Sequence, residues 1–302
     1  MKENQSDYHH KNSRTALKRP LKFRVGKDNE LLKFLYQNAP NKKAKTLLKH
    51  KLIKVNGETV SQFNHPLKEG DLVELHFDTS ATEKRFRGFS IVFEDENIIV
   101  INKHAGLLSI STDKREKLTA YRALSKHVKL DDTANKIFIV HRLDRDTSGL
   151  MLFAKNEDVK KKMQDNWKDM VSDRIYLALI EGKPEPWSGS LTSYLYESKA
   201  LKVHVTDDPE EGEKAVTHYK ILKGNKKYTL LKVWLETGKK NQIRVQLADK
   251  GFPIIGDKKY GSTVDPIGRL ALHAWTLNFE HPVTGEKINL KTDIPRKFSR
   301  IV

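Results

Sequence analysis

From residue 91 onward the chain is dominated by apolar runs of strand length, at Ile91–Phe93, Ile98–Asn102, Ile137–Val140, Leu150–Ala154, Arg174–Glu181, Ala215–Leu222 and Tyr228–Glu236. Short apolar runs bounded by Gly, Pro, Asn and Asp are how strands are written in sequence. Two stripes at helical spacing interrupt them: Leu118, Tyr121, Leu124 and Val128, then Val159, Met163 and Trp167 behind a cap at Asn156. The second stripe reads as core. Many strands joined mostly by short turns, with few helices, predict an α+β fold built on a largely antiparallel mixed β-sheet with flanking helices and loops.

The amino-terminal part is patterned differently. Leu31, Leu32, Phe34 and Leu35 mark one apolar helix face that ends at Ala39-Pro40. Asn41 can cap a second helix, in which Lys42, Lys43, Lys45, Lys49 and Lys51 surround a thin stripe of Ala44, Leu47 and Leu48. Asn56-Gly57 between alternating apolar residues signals a hairpin, and the Lys68–Asp71 turn leads into a strand from Leu72 to Phe77. Residues 1–54 hold fifteen Lys and Arg against four Asp and Glu, so +11 of the chain's formal +17 sits at this end. Such a surface attracts a polyanion. The order of helix, basic helix, V-N-G hairpin, K-E-G-D turn and strand resembles the S-four RNA-binding module. The expected organisation is a flexible basic arm over residues 1–20, a small α+β RNA-binding domain over 21–78, a polar linker over 79–88 and a larger domain over 89–302.

The chain has no cysteine, which excludes disulfides, thiolate metal sites and a cysteine nucleophile and fits a reducing compartment. No apolar run approaches the roughly 18 residues needed to cross a bilayer, so a cytoplasmic protein with no membrane partner is expected. A Walker loop, a G-x-G-x-x-G opening a helix and an H-E-x-x-H pair are all missing, so neither cofactor nor metal is expected.

The densest group of reactive side chains is His141-Arg142-Leu143-Asp144-Arg145-Asp146-Thr147-Ser148-Gly149, between two apolar runs. By residues alone it is first a salt-bridged hairpin turn; the alternative is a polar loop that a rigid scaffold displays for function. The segment resembles the H-R-L-D-x-x-T-S-G-L signature of the RluA-type pseudouridine synthases. The likeness continues through Ile101-Asn102-Lys103, Tyr176-Leu177-Ala178, Thr237-Gly238-Lys239, Gln242-Ile243-Arg244, Ile255-Gly256-Asp257, Lys259-Tyr260-Gly261, Leu272-His273-Ala274 and Phe279 with His281-Pro282. It covers residues 90–300 in order.

The resemblance implies isomerisation of uridine to pseudouridine in a structured RNA, ribosomal RNA foremost and transfer RNA as the alternative, by a monomer. It makes Asp144 the catalytic carboxylate, Arg244 its ionic partner and Tyr176 a ring that stacks on the extracted uracil or moves a proton. A carboxylate can attack the ribose, attack the uracil ring or remove a ribose proton, and the sequence leaves these routes open. Arg142 is the group expected to fill the space left by the extracted base. Thr147, Ser148 and Gly149 are expected to shape the loop, His141 to brace it, and Lys103 and Lys239 to meet phosphates or solvent, while Lys42, Lys45 and Lys49 of the basic helix contact RNA. The chain departs from the pattern at His104, where relatives often have Pro, and at Asn241 and Gln246, where a common version has His. The competing readings are a non-catalytic RNA-binding or ribosome-assembly factor and a base-releasing glycosidase.

Overall fold

The computed structural model describes residues 20–38, 44–49, 52–76 and 86–302, apart from positions 112, 114, 117 and 131. The chain divides between residues 84 and 85 into two units. Asn41, Lys42, the arm over 1–19 and the linker positions 79–85 lie outside the described residues, as do the side chains of Lys45 and Lys49.

The first unit runs β1 (Leu21–Arg24), β2 (Asn29–Glu30), α1 (Leu31–Asn38), α2 (Ala44–Lys49), β3 (Ile53–Val55), β4 (Glu58–Thr59), β5 (Pro66–Leu67) and β6 (Leu72–Leu75). Four strands form an antiparallel sheet in the order β1-β6-β3-β4, and β2 pairs with β5. The stripes predicted from spacing form its core: Leu31, Phe34 and Leu35 of α1 and Ala44, Leu47 and Leu48 of α2 pack with Ile53, Val55, Val73 and Leu75. Asn56 and Gly57 both take positive φ, 51° and 89°, as a type I′ hairpin turn requires. The Asn56 side chain then ties this turn to the next strand, donating to Asp71 and accepting from the Leu72 amide.

The second unit contains β7 (Phe89–Glu94), β8 (Ile98–Lys103), α3 (Ala120–Val128), β9 (Phe138–Ile139), β10 (Ser148–Ala154), α4 (Glu157–Asp165), α5 (Trp167–Met170), β11 (Asp173–Glu181), β12 (Ser188–Glu197), β13 (Val203–Thr206), β14 (Glu213–Gly224), β15 (Tyr228–Leu235), α6 (Gln242–Asp249), β16 (Leu272–Glu280), β17 (Lys287–Lys291) and α7 (Arg296–Ser299). Eleven strands form one mixed sheet, its main path running β13-β12-β14-β15-β11-β16-β10-β8-β7. Every pairing is antiparallel except β10 with β16. The predicted α+β class and largely antiparallel mixed sheet are as observed. Asn156 caps α4 by accepting the Val159 amide at 2.8 Å, as its position predicted.

Strand β10 shows why its sequence is almost wholly apolar: all seven residues are buried. Met151 and Phe153 enter the core that holds α3, while Leu150, Leu152 and Ala154 enter the core beneath α4 on the opposite face. β8 alternates in the same way, with Ile99 and Ile101 on one side and Ile98 and Val100 on the other. At roughly 1.5 to 3 kcal/mol for each large side chain removed from water, these two strands are the anchor of the unit.

The one parallel pairing between strands of this sheet, among the described residues, places the site. Ser148 and Gly149 open β10 beside His273 and Ala274 of β16, and Tyr176 of β11 lies opposite Ala274 on the other side. Gly149 has φ of +115°, and a Cβ there would lie 2.1 Å from the Ala274 carbonyl oxygen. Only glycine lets the two backbones meet so closely. Residues 141–147 lead into this seam, and the Leu143 carbonyl accepts Ser109 Oγ–H while that of Arg145 accepts the Gly106 amide and Lys103 Nζ.

Candidate active site

Asp144 lies on the loop before β10 with its side chain 27% exposed. Oδ2 accepts Arg244 Nη1–H at 2.9 Å and Asn241 Nδ2–H at 2.6 Å. Oδ1 receives no hydrogen bond among the described residues. Arg244 comes from α6, whose Ile243 and Leu247 are locked into the core under β11 and β15. Its other two nitrogens are turned away from Asp144: Nε and Nη2 grip the two oxygens of Asp257 at 2.7 and 2.8 Å. Burial opposes the guanidinium's charge, but the hydrogen bonds and charge of Asp257, and then those of Asp144, outweigh it and raise the Arg244 pKa. Tyr260 covers the cation, its ring centre 5.1 Å from the Arg244 Cζ.

Asp257 is almost completely buried and follows Gly256, where a Cβ would strike the Arg269 carbonyl oxygen at 2.3 Å. The turn over Gly256 therefore delivers a carboxylate to the inside of the protein, where Arg244 neutralises it. Asp144, Arg244 and Asp257 form one chain of charge. Sequence reading named Asp257 only as a landmark and gave it no role.

Arg142, Asp144, Thr147, Tyr176, Lys239, Asn241 and Arg244 line an open cleft together with Leu143, Leu235, Ile243 and Leu272. Tyr176 sits at a β-bulge that shifts the register of β11 on β16. Burial holds its hydroxyl protonated above the usual phenol range; Arg174 opposes this and the charge of Asp144 adds to it. Arg142 is exposed at the rim and has no ion-pair partner among the described residues. Lys239, also at the rim, is paired with Glu213.

The remaining predicted residues act on the loop. His141 accepts the Leu152 amide on Nε2 at 3.0 Å and packs on Trp167, its ring centre 5.0 Å away. Burial, helped by the charge of Arg174, pushes its pKa down to about 3, so the ring is neutral. Thr147 and Ser148 are buried, and Ser148 Oγ bonds His273 Nδ1 at 2.8 Å while His273 Nε2 meets Thr292 Oγ1 at 2.7 Å. Lys103 corrects the expectation of a phosphate or solvent contact. It is wholly buried, and Nζ donates to the carbonyls of His104, Leu107 and Arg145 at 3.1, 2.8 and 2.9 Å. All three protons are spent on backbone, one of them on the loop that carries Asp144.

A family model described as RNA pseudouridylate synthase matches residues 97–249. YjbO of Bacillus subtilis, an uncharacterized RNA pseudouridine synthase, is 32% identical over 254 residues, covering 83% of this chain and 89% of its own. Ribosomal large subunit pseudouridine synthase D of Pasteurella multocida is 30% identical over 291 residues, 91% of this chain and 89% of its own. The structure is similar to human RNA pseudouridylate synthase domain containing 4, with a TM-score of 0.57 and 26% identity over 70% of this chain and 90% of that one. The chain belongs to the RNA pseudouridylate synthase family. Its activity is that of an isomerase that converts uridine to pseudouridine in RNA.

Proposed function

We propose that Asp144 is the carboxylate that meets the ribose or uracil during isomerisation, and that the substrate is a structured region of large-subunit ribosomal RNA. The observation that carries the first part is the state of the carboxylate: Oδ2 is held by Arg244 and Asn241, and Oδ1 is left without a partner among the described residues beside an open cleft. Isomerisation breaks the bond from uracil N1 to ribose C1′, makes one from C5 to C1′, and exchanges the C5 proton for one on N1. No electrons leave and no second substrate enters. A carboxylate with one oxygen free can serve as nucleophile or base in such a sequence. Arg244 holds the Asp144 carboxylate by an ion pair, Tyr176 stacks on the turned uracil, and Arg142 occupies the space the base vacates.

The ribosomal assignment is supported by relatives named for the large subunit, at 30 to 32% identity over at least 80% of this chain. The first unit is proposed to be an S-four-like RNA-binding module, with Lys42, Lys45 and Lys49 on phosphates of a stem near the target. The setting would be the cytoplasm and the working form a monomer. Incubating the protein with total RNA from cells lacking the activity, and mapping pseudouridine at nucleotide resolution, should give new sites in large-subunit RNA; new sites confined to transfer RNA would overturn the ribosomal part. Deleting residues 1–80 should weaken RNA binding and flatten its salt dependence, since each phosphate contact contributes about 0.9 to the slope on a duplex. Unchanged affinity would contradict the anchoring role.

A further inference from the structure

Asn241 stands where a common version of the family pattern has histidine, and its conformation is unusual. It takes the left-handed region, φ 53° and ψ 17°, at the start of α6, where an asparagine would ordinarily cap the helix with its side chain. No such cap bond is made. The amide is turned to the cleft instead, with Nδ2 2.6 Å from Asp144 Oδ2 and Oδ1 3.2 Å from the Tyr260 hydroxyl.

The orientation of that amide follows from its neighbours. A carboxylate only accepts, so the NH2 end must face Asp144. At the other end, Tyr260 Oη receives the Val203 amide proton at 3.3 Å and therefore turns its own proton toward Asn241 Oδ1. Tyr260 is itself buried, and burial holds its hydroxyl above the ordinary phenol range, so it remains a donor. Val203, Tyr260, Asn241 and Asp144 thus form a directed run of hydrogen bonds that ends on the oxygen also held by Arg244.

We propose that Asn241, oriented by Tyr260, is a positioning residue for catalysis: its uncharged N–H fixes the rotation of the Asp144 carboxylate so that Oδ1 alone is presented to substrate. The need for it lies in the partition of Arg244. Two of the guanidinium's three donor nitrogens are taken by Asp257, so one N–H reaches Asp144. A single bond leaves a carboxylate free to swing about it, whereas two donors arriving on one oxygen from different elements do not. A neutral donor adds this restraint without adding a proton that comes off in the working range.

The inference rests on Asp144 being the reacting carboxylate, and the test separates the two. Asn241→Gly removes the amide at a position where glycine is unstrained, and Asn241→Asp keeps the shape and the tolerance of left-handed backbone while replacing N–H by a second carboxyl. The titratable and charged groups around this position are Asp144 from the β10 loop, Arg244 from α6, Asp257 and Tyr260 from the following turn, Lys202 and Lys259 over the Tyr260 ring, and Lys239 and Lys240 before the helix, which pair with Glu213 and Glu197. Two carboxyls on one site cannot both ionise freely, so one holds a proton to a higher pH. Arg244 sits beside Asp144, so the proton resides on the introduced carboxyl and restores a donor.

Total RNA labelled with 5-tritiated uridine, taken from cells lacking the enzyme, reports turnover as tritium released from C5. With Asn241→Gly the rate at saturating RNA should fall roughly ten- to hundredfold, the range for a hydrogen bond to a charged group, with half-saturation and melting temperature close to wild type. Asn241→Asp should be equally slow at about pH 8 and recover about tenfold relative to wild type toward pH 5. Tyr260→Phe, which keeps the ring but frees the amide, should lose a few-fold, about the value of one neutral hydrogen bond. Wild-type turnover by Asn241→Gly, or an Asn241→Asp deficit that is the same at every pH, would overturn the proposal. Asp144→Ala is run alongside: release by that variant would instead overturn the assignment of Asp144, while its silence beside two normal Asn241 variants would remove only the role of Asn241.

Discussion

Two buried cations, one bonded to the backbone of the Asp144 loop and one to the Asp144 side chain, are handled in opposite ways. Lys103, under the Asp144 loop, is surrounded by three carbonyl dipoles and has no carboxylate in hydrogen-bond contact, and burial pulls its pKa down to about 8 despite the charges of Asp146 and Asp144. Arg244, on α6, is gripped by two carboxylates and its pKa is raised. Lysine's point charge suits a ring of carbonyls, and the planar fork of arginine suits carboxylates. The difference separates two tasks. Lys103 fixes backbone, through the Arg145 carbonyl, whereas Arg244 fixes a side chain and its charge.

Substitutions at the two cations should therefore fail differently. Arg244→Met leaves Asp257 buried without its counter-charge, which costs about 3 to 5 kcal/mol, and releases Asp144. Turnover should fall on the order of a thousandfold even at temperatures where the variant is folded. Arg244→Lys should recover little, because an ammonium cannot fork between Asp257 and Asp144. Wild-type kcat in either variant would erase the distinction between the two cations.

Gly149→Ala attacks the seam that holds the loop. With a Cβ 2.1 Å from the Ala274 carbonyl oxygen and φ at +115°, the parallel pair must part, and a loss of at least about 3 kcal/mol is expected in denaturant unfolding. Lys103→Met should cost less, about 2 kcal/mol, since three hydrogen bonds are lost but a buried charge is removed with them. Its turnover below the melting transition should stay within about fivefold of wild type, a small change on the scale of charge-stabilisation losses. A collapse of kcat as deep as that of Arg244→Met would show that both cations serve the carboxylate directly.

A further effect is in pH. Lys103 in the folded protein releases its proton near pH 8, below the 10.5 of an unstructured lysine, so between these values the unfolded chain binds more protons and stability rises with pH. Lys103→Met should lose that rise, read as melting temperature from pH 8 to pH 10.5 in both proteins. His141 works on the acid side: with a folded pKa near 3 against 6.5, it adds an instability that grows as pH falls through that window.

The sequence carried the anchor strands plainly because β8 and β10 are buried on both faces and are therefore continuous apolar runs. Strands β12, β13, β16 and β17 escaped it. In β12, Ser188-Gly189-Ser190-Leu191-Thr192-Ser193 carries little apolar signal, because one face is exposed and small residues suffice beside α6. In β16, His273 and Asn278 break the run, and His273 is buried only because Ser148 and Thr292 satisfy its ring. The run at Ile137–Val140 yields only the two-residue β9, since Val140 and Leu143 bury themselves in loop conformations. In the site, the H-R-L-D loop stood out by its density of charge. Lys103 was misplaced because its burial is decided by a carbonyl 42 residues away, and Asn241 was noted only as a departure because its partner Asp144 is 97 residues distant.

Asp144 is proposed as the group through which this enzyme works. Asp144→Ala should fold, bind the RNA with the affinity of wild type, and install no pseudouridine at any position that wild type modifies, as read by nucleotide-resolution mapping of total RNA from cells lacking the activity. Pseudouridine at the same positions, made by the variant even at a tenth of the wild-type rate, would contradict the account, because no loss of an essential reacting carboxylate is that mild.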